Sequence, residues 1–124
     1  MTRPMTEALI DSHDAALFDL DGVVYLGSEV VPAAPATMSR LRANGVGVGF
    51  VTNNAARATT VVADQLTDMG IPAAPSDVVS SAEAVTALVA TELGLGTRVL
   101  IAATSNVDDL ARQRGLVPVH SADE

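Results

Sequence analysis

Asp19 and Asp21 stand two positions apart at the end of the apolar run Ala15-Ala16-Leu17-Phe18, and Gly22 follows them. In extended chain, residues i and i+2 share a face, so the two carboxylates occupy one small volume. Two unit charges about 4 Å apart repel by roughly 4 kcal/mol at an effective dielectric near 20, so the pair calls for a cation, a shared proton or full solvation. An Asp-Gly turn accounts for Asp21 and Gly22 but leaves Asp19, inside the apolar run, unexplained. Phosphoryl transfer accounts for both acids. One carboxylate attacks phosphorus, the other carries a proton as general acid and base, and Mg²⁺ screens the pair. Gly22 then lets the backbone turn tightly over the bound anion.

A second polar cluster, Thr52-Asn53-Asn54, ends another apolar segment and leads into a helix start, where free backbone N–H groups favour an anion. The elements that must position both clusters are legible from periodicity and stop signals. Strands are expected at Ala15 to Phe18, apolar on both faces as in parallel sheets, at Val46 to Val51, at Val78-Val79, at Arg98 to Ala102 and at Val117 to Val119. One helix should have Pro32 in its first turn, bury Ala34, Met38 and Leu41, and stop at Asn44-Gly45. A second, from about Thr59, should bury Val62, Leu66 and Met69 and close at Gly70. A third opens on the Ser80/Glu83 capping pattern, is expected to bury Val85, Leu88, Val89 and Leu93, and ends at Gly94. A fourth is capped by Ser105 and Asp108 and ends at Gly115. Strands and helices alternate, which is the pattern of an α/β fold with a parallel sheet. Ligands of such sheets bind outside the carboxyl ends of the strands, where both clusters lie.

Bulk composition narrows the partners. A net charge of −8 disfavours nucleic acid and anionic membranes, and an aromatic content of 2% leaves no stacking platform for bases. Cysteine is absent, so disulfides, thiolate metal sites and cysteine nucleophiles are excluded. The first residues lack the apolar core of a signal peptide and no apolar run is long enough to span a bilayer, so a cytoplasmic protein is expected. Gly45, Gly47 and Gly49 do not complete G-x-G-x-x-G, the Gly22 to Gly27 spacing lacks its Lys-Ser/Thr, and an EF-hand begun at Asp19 would meet valine at both Val24 and Val30.

The stretch FDLDGVVYLG resembles the first motif of the haloacid dehalogenase-like superfamily, and GFVTNNAAR resembles the second motif of its type IIA phosphatase branch. The likeness extends from about Asp14 to Val119 through DVVSSAEAV and RVLIAATSNVDDLARQRGLVPV. It implies a Rossmann-like parallel sheet with an inserted α/β cap, and hydrolysis of small phosphomonoesters. Asp19 would be the nucleophile, forming an aspartyl-phosphate, and a Mg²⁺ ligand. Asp21 would be the acid/base residue and touch the metal through its backbone carbonyl. Thr52 and the Asn53 N–H would hold phosphate oxygens, with Asn54 and Gly22 beside them. Arg57 is read as a solvated surface residue, His13 and His120 as exposed, Asp108-Asp109 as complements of a helix dipole, and Tyr25 as packing beside the loop.

The chain also departs from that pattern. It contains no lysine, whereas the family uses one to stabilise the phospho-enzyme, and it has no second acidic motif after Thr52. The expected organisation is a polar leader at 1–14, part of a catalytic core at 15–80, a helix and linker at 81–97, and the start of a truncated cap at 98–124. Such a species is expected to be weakly active or inactive alone, with the first strand presenting an open apolar edge suited to self-association. The alternative is a complete, non-catalytic binding or interaction module. A phospho-accepting receiver domain fits poorly, since it calls for directly adjacent acids and a late lysine.

Overall fold

The computed structural model describes residues 8–121 and 123. Residues 1–7 of the expected leader lie outside them, and its described part contains a short 3-10 turn, Leu9–Ser12. β1 (Ala15–Asp19) enters a tight loop, and β2 (Tyr25–Leu26) pairs with β3 (Glu29–Val30) as a small antiparallel hairpin. Gly27 takes the first central position of its two-residue turn with φ +57°, a conformation that favours glycine. α1 (Ala34–Ala43) follows, then β4 (Gly47–Thr52), α2 (Thr59–Asp68), β5 (Val78–Ser80) and α3 (Ser81–Leu93). β6 (Arg98–Leu100), α4 (Ser105–Gln113) and β7 (Val117–Val119) complete the order.

The main sheet is parallel, in the order β1-β4-β5, with Asp19 opposite Val51 and Thr52 opposite Ser80. This is the α/β architecture the alternation predicts. β6 and β7 form a separate parallel pair bridged by α4. Several local signals act as read. α1 buries Ala34 and Met38 and stops at Asn44, and α2 buries Val62 and Leu66. The Ser80 hydroxyl accepts the Glu83 N–H at 3.1 Å to open α3. Pro35 rather than Pro32 sits in the first turn of α1, and Thr104 rather than Ser105 precedes α4 without a side-chain cap.

One face of the sheet carries Phe18, Phe50 and Val78 into a core with Met38, Val62 and Leu66, the two phenyl rings lying 6.5 Å apart. The opposite face is bare: Leu17 is 73% exposed, and Val51 and Val79 are also exposed. β1 is therefore apolar on both sides, as read, but buried on only one. No described element covers the other. Gly49 receives the end of the Leu17 side chain, which comes within 2.9 Å of where a Cβ would stand.

α3 also differs from expectation. It buries Ala82 and Thr86, while Val85, Leu88 and Leu93 are exposed and only Val89 packs inward, against the small core of Ile101, Ala111 and Leu116. Periodicity identified the apolar residues, but the positions of β5 and α4 select which stripe of the helix finds a partner. Among the described residues no helix is long and apolar enough to cross a membrane.

Phe50 is 1% exposed at the centre of the larger core. Phe50→Ala is expected to lower unfolding stability by about 3–5 kcal/mol, measured by urea denaturation followed by circular dichroism.

Candidate functional site

After Asp19 the chain wraps around a single carbonyl. Leu20 O accepts N–H groups from Val23 at 3.1 Å, Val24 at 2.9 Å and Tyr25 at 3.3 Å. Gly22, at φ +83°, donates its N–H to Tyr25 O at 2.8 Å, closing the turn from the other side. The side chains of Leu20 and Val24 are fully buried, so the loop is plugged into the core while Asp19 and Asp21, on either side of Leu20, remain exposed. Desolvated apolar anchors thus hold two solvated acids. One oxygen of Asp19, Oδ1, accepts the Leu20 N–H at 2.9 Å, which fixes the carboxylate and leaves its second oxygen for chemistry.

Parallel pairing brings the second cluster to the same end. A hollow of about 380 Å³ is walled by Asp19, Val51, Thr52, Asn53, Ser80 and Ser81, among others. Asp21, Gly22 and Asn54 are not in that wall. Asp21 stands on the adjoining loop, paired with Tyr25 in an isolated bridge. Thr52 Oγ1 accepts the Asn54 N–H at 3.1 Å, so the hydroxyl proton of Thr52 is free to be donated to an anion. Asn54 Oδ1 accepts the Ala56 N–H at 3.0 Å, which gives that side chain a part in shaping the loop. Ser81, from α3, donates to Asn53 O at 3.1 Å. Nothing in the sequence reading singled out Ser80 or Ser81 as part of this wall, because only the register of β5 places them there.

Arg57 departs from its expected solvated state. Its guanidinium hydrogen-bonds the Tyr25 side chain, and Tyr25 is 3% exposed. Burial pushes the Tyr25 hydroxyl up from its usual pKa, Asp21 adds to that rise, and the charge and hydrogen bond of Arg57 oppose it. No sequence signal pointed to this pair; it exists because the hairpin folds back on the start of α2. A further bond from Gln65 Nε2 to Gly27 O at 3.3 Å supports the same docking. His13 and His120 are exposed as expected. His120 also lies with Nε2 3.2 Å from Asp108 Oδ2, so Asp108 has an imidazole partner beyond the helix dipole.

Among the described residues no group of three or more His, Cys, Asp or Glu side chains converges on a point. The hard oxygens of Asp19 and Asp21 nevertheless suit Mg²⁺, which commonly uses one or two carboxylates and completes its shell with water and phosphate.

A sheet whose first strand ends in this acidic loop, with a Thr-Asn-Asn turn beside it, defines a class. The family model for haloacid dehalogenase-like hydrolases matches residues 16–117, and the chain belongs to that family. It is 37% identical over 113 residues to the D-glycerol 3-phosphate phosphatase of Mycobacterium tuberculosis, covering 91% of this chain and 31% of that protein. It is 33% identical over 105 residues to an acid sugar phosphatase of Staphylococcus aureus, covering 85% of this chain and 40% of that one. The crystal structure of the Mycobacterium tuberculosis glycerol phosphate phosphatase in complex with magnesium matches with a TM-score of 0.85 at 36% identity, over 93% of this chain and 34% of that chain. A 4-nitrophenylphosphatase from Thermotoga maritima, at 22% identity and a TM-score of 0.81 over 90% of this chain and 42% of that one, shares the fold. The chain spans about a third of the length of the first relatives it matches.

Tyr25 is the only tyrosine and tryptophan is absent, so ultraviolet absorbance reports its ionisation alone. Its raised pKa means the folded state holds the proton after the unfolded chain has begun to lose it. The associated stability is present below about pH 10 and is lost as pH rises through the folded value. Arg57→Ala is expected to move the titration further upward, and a downward or absent shift in the absorbance curve would contradict the pairing.

Proposed function

We propose that this chain carries the nucleophile and phosphate-binding portion of a Mg²⁺-dependent phosphomonoesterase, with residues 15–80 in the catalytic core, 81–97 leading to the cap and 98–124 beginning it. The observation that supports this most directly is the hollow shared by Asp19, Thr52 and Asn53 at the carboxyl end of the parallel strands. Asp19 is the nucleophile. Its unengaged oxygen attacks phosphorus, the ester P–O bond breaks, and Asp21 gives its proton to the departing alkoxide. Water then attacks the aspartyl-phosphate while the Asp21 carboxylate takes its proton, the P–O bond to Asp19 breaks and orthophosphate leaves. The Thr52 hydroxyl and the Asn53 N–H hold the non-bridging oxygens, and Gly22, at its positive φ, closes the turn that carries Asp21. A bound Mg²⁺ would be held by the Asp19 carboxylate and the Asp21 carbonyl and would neutralise charge on the phosphoryl group.

The named activities of the relatives point to a small phosphorylated metabolite, with glycerol 3-phosphate the first compound to test. Within these residues there is no lysine to stabilise the phospho-enzyme. Missing one such electrostatic contact costs on the order of 10² to 10³ in rate, so slow turnover is expected from this chain alone. With p-nitrophenyl phosphate and Mg²⁺, Asp19→Asn should abolish whatever turnover is present and Thr52→Ala should reduce it about 10- to 100-fold. Turnover that survives Asp19→Asn defeats the assignment.

A second reading rests on a separate observation. β1 is an edge strand whose bare face exposes Leu17, a combination that favours pairing with another copy through the sheet edge. Light scattering is expected to show concentration-dependent dimers that Leu17→Lys disperses. A strictly monomeric wild-type chain at high concentration excludes it.

A further inference from the structure

The loop after β4 is tied to a distant element. Asn106, in the first turn of α4, donates from Nδ2 to Ala55 O at 2.8 Å, a partly buried bond between residues 51 positions apart. The same peptide unit is held at its other end, because the Ala56 N–H donates to Asn54 Oδ1 at 3.0 Å. Asn54 in turn donates its own N–H to Thr52 Oγ1 at 3.1 Å. Three hydrogen bonds therefore run in sequence from α4, through one clamped peptide plane and one asparagine, to the hydroxyl on the wall of the hollow. Ser81 holds the preceding part of the loop through Asn53 O, while Asn106 reaches the Ala55-Ala56 peptide from outside the loop.

We infer that Asn106 is a positioning residue: by clamping the Ala55-Ala56 peptide it fixes the Asn54 turn and, through it, aims the Thr52 hydroxyl at the phosphate. The role rests on the phosphatase reading above for its functional meaning, but the clamp itself is a property of the fold. It makes the phosphate loop sensitive to where α4 sits, so movement of the β6-α4-β7 unit would be felt at Thr52. Donor character is what matters. A carboxylate in the same place would set an acceptor against the Ala55 carbonyl, while its negative charge would favour the first turn of α4.

Asn106→Asp and Asn106→Ala, in the full chain, separate the clamp from general folding. Amide hydrogen exchange by nuclear magnetic resonance should rise about three- to tenfold at Asn54 and Ala56 in both variants, with residues inside α4 unchanged or slower in Asn106→Asp. Affinity for inorganic orthophosphate in the presence of Mg²⁺ should fall by a similar factor. Unchanged exchange at Asn54 and Ala56, or a rise spread evenly over the chain, overturns the inference. A wild-type chain that binds no orthophosphate would count against the phosphatase reading, while the exchange comparison would still decide the clamp.

Discussion

Parallel pairing between β1 and β4 is the constraint from which the site follows. Their register sets Asp19 opposite Val51, so the acidic loop after one strand and the Thr-Asn-Asn turn after the other must emerge side by side. Neither cluster forms a site alone. A single-residue slip would reverse the sides on which Leu17, Phe18 and Asp19 lie, placing Phe18 in water and Asp19 over the core. Burial of Phe18 against Phe50 therefore does two things: it stabilises the sheet, and it selects the register that brings Asp19 and Thr52 to one hollow.

Around that pairing, rigidity comes from small polar bonds anchored on apolar plugs. Leu20 and Val24 fasten the acidic loop from beneath, and Leu20 O gathers three N–H donors that prevent it from unwinding. The facing turn has no comparable plug. Asn54, Ser81 and Asn106 hold it instead, and each comes from a different part of the chain. An acidic loop plugged into the core thus faces a turn tethered by side chains, an arrangement that fixes the relative positions of the two clusters.

Local chemistry was readable from the sequence wherever the cause lies within a few residues. Asn44-Gly45 ends a helix because Gly45 adopts φ +76°, and Ser80 caps α3 because Glu83 N is three residues away. The tight turn that Asp21-Gly22 announces is likewise local, since Gly22 adopts φ +83° and donates its N–H to Tyr25 O. What sequence reading could not supply depended on tertiary partners. Val85, Leu88 and Leu93 form a plausible apolar stripe, yet the stripe through Ala82 and Thr86 is the one that meets β5 and α4. Arg57 resembles any surface arginine until the hairpin delivers Tyr25 to it, and Asn106 resembles any residue near a helix start until Ala55 O lies 2.8 Å away.

The bare side of the sheet has a further consequence when set beside the chain's net charge of −8. Copies that could join through Leu17 also repel one another over a range fixed by the Debye length, about 10 Å at 0.1 M salt and about 30 Å at 0.01 M. For copies meeting at this face, that long-range repulsion would oppose approach in dilute buffer, and at high ionic strength it would collapse while the attraction between apolar surfaces persisted. Ionic strength therefore acts as a dial on this surface, determining how closely another molecule can approach before the strip is felt.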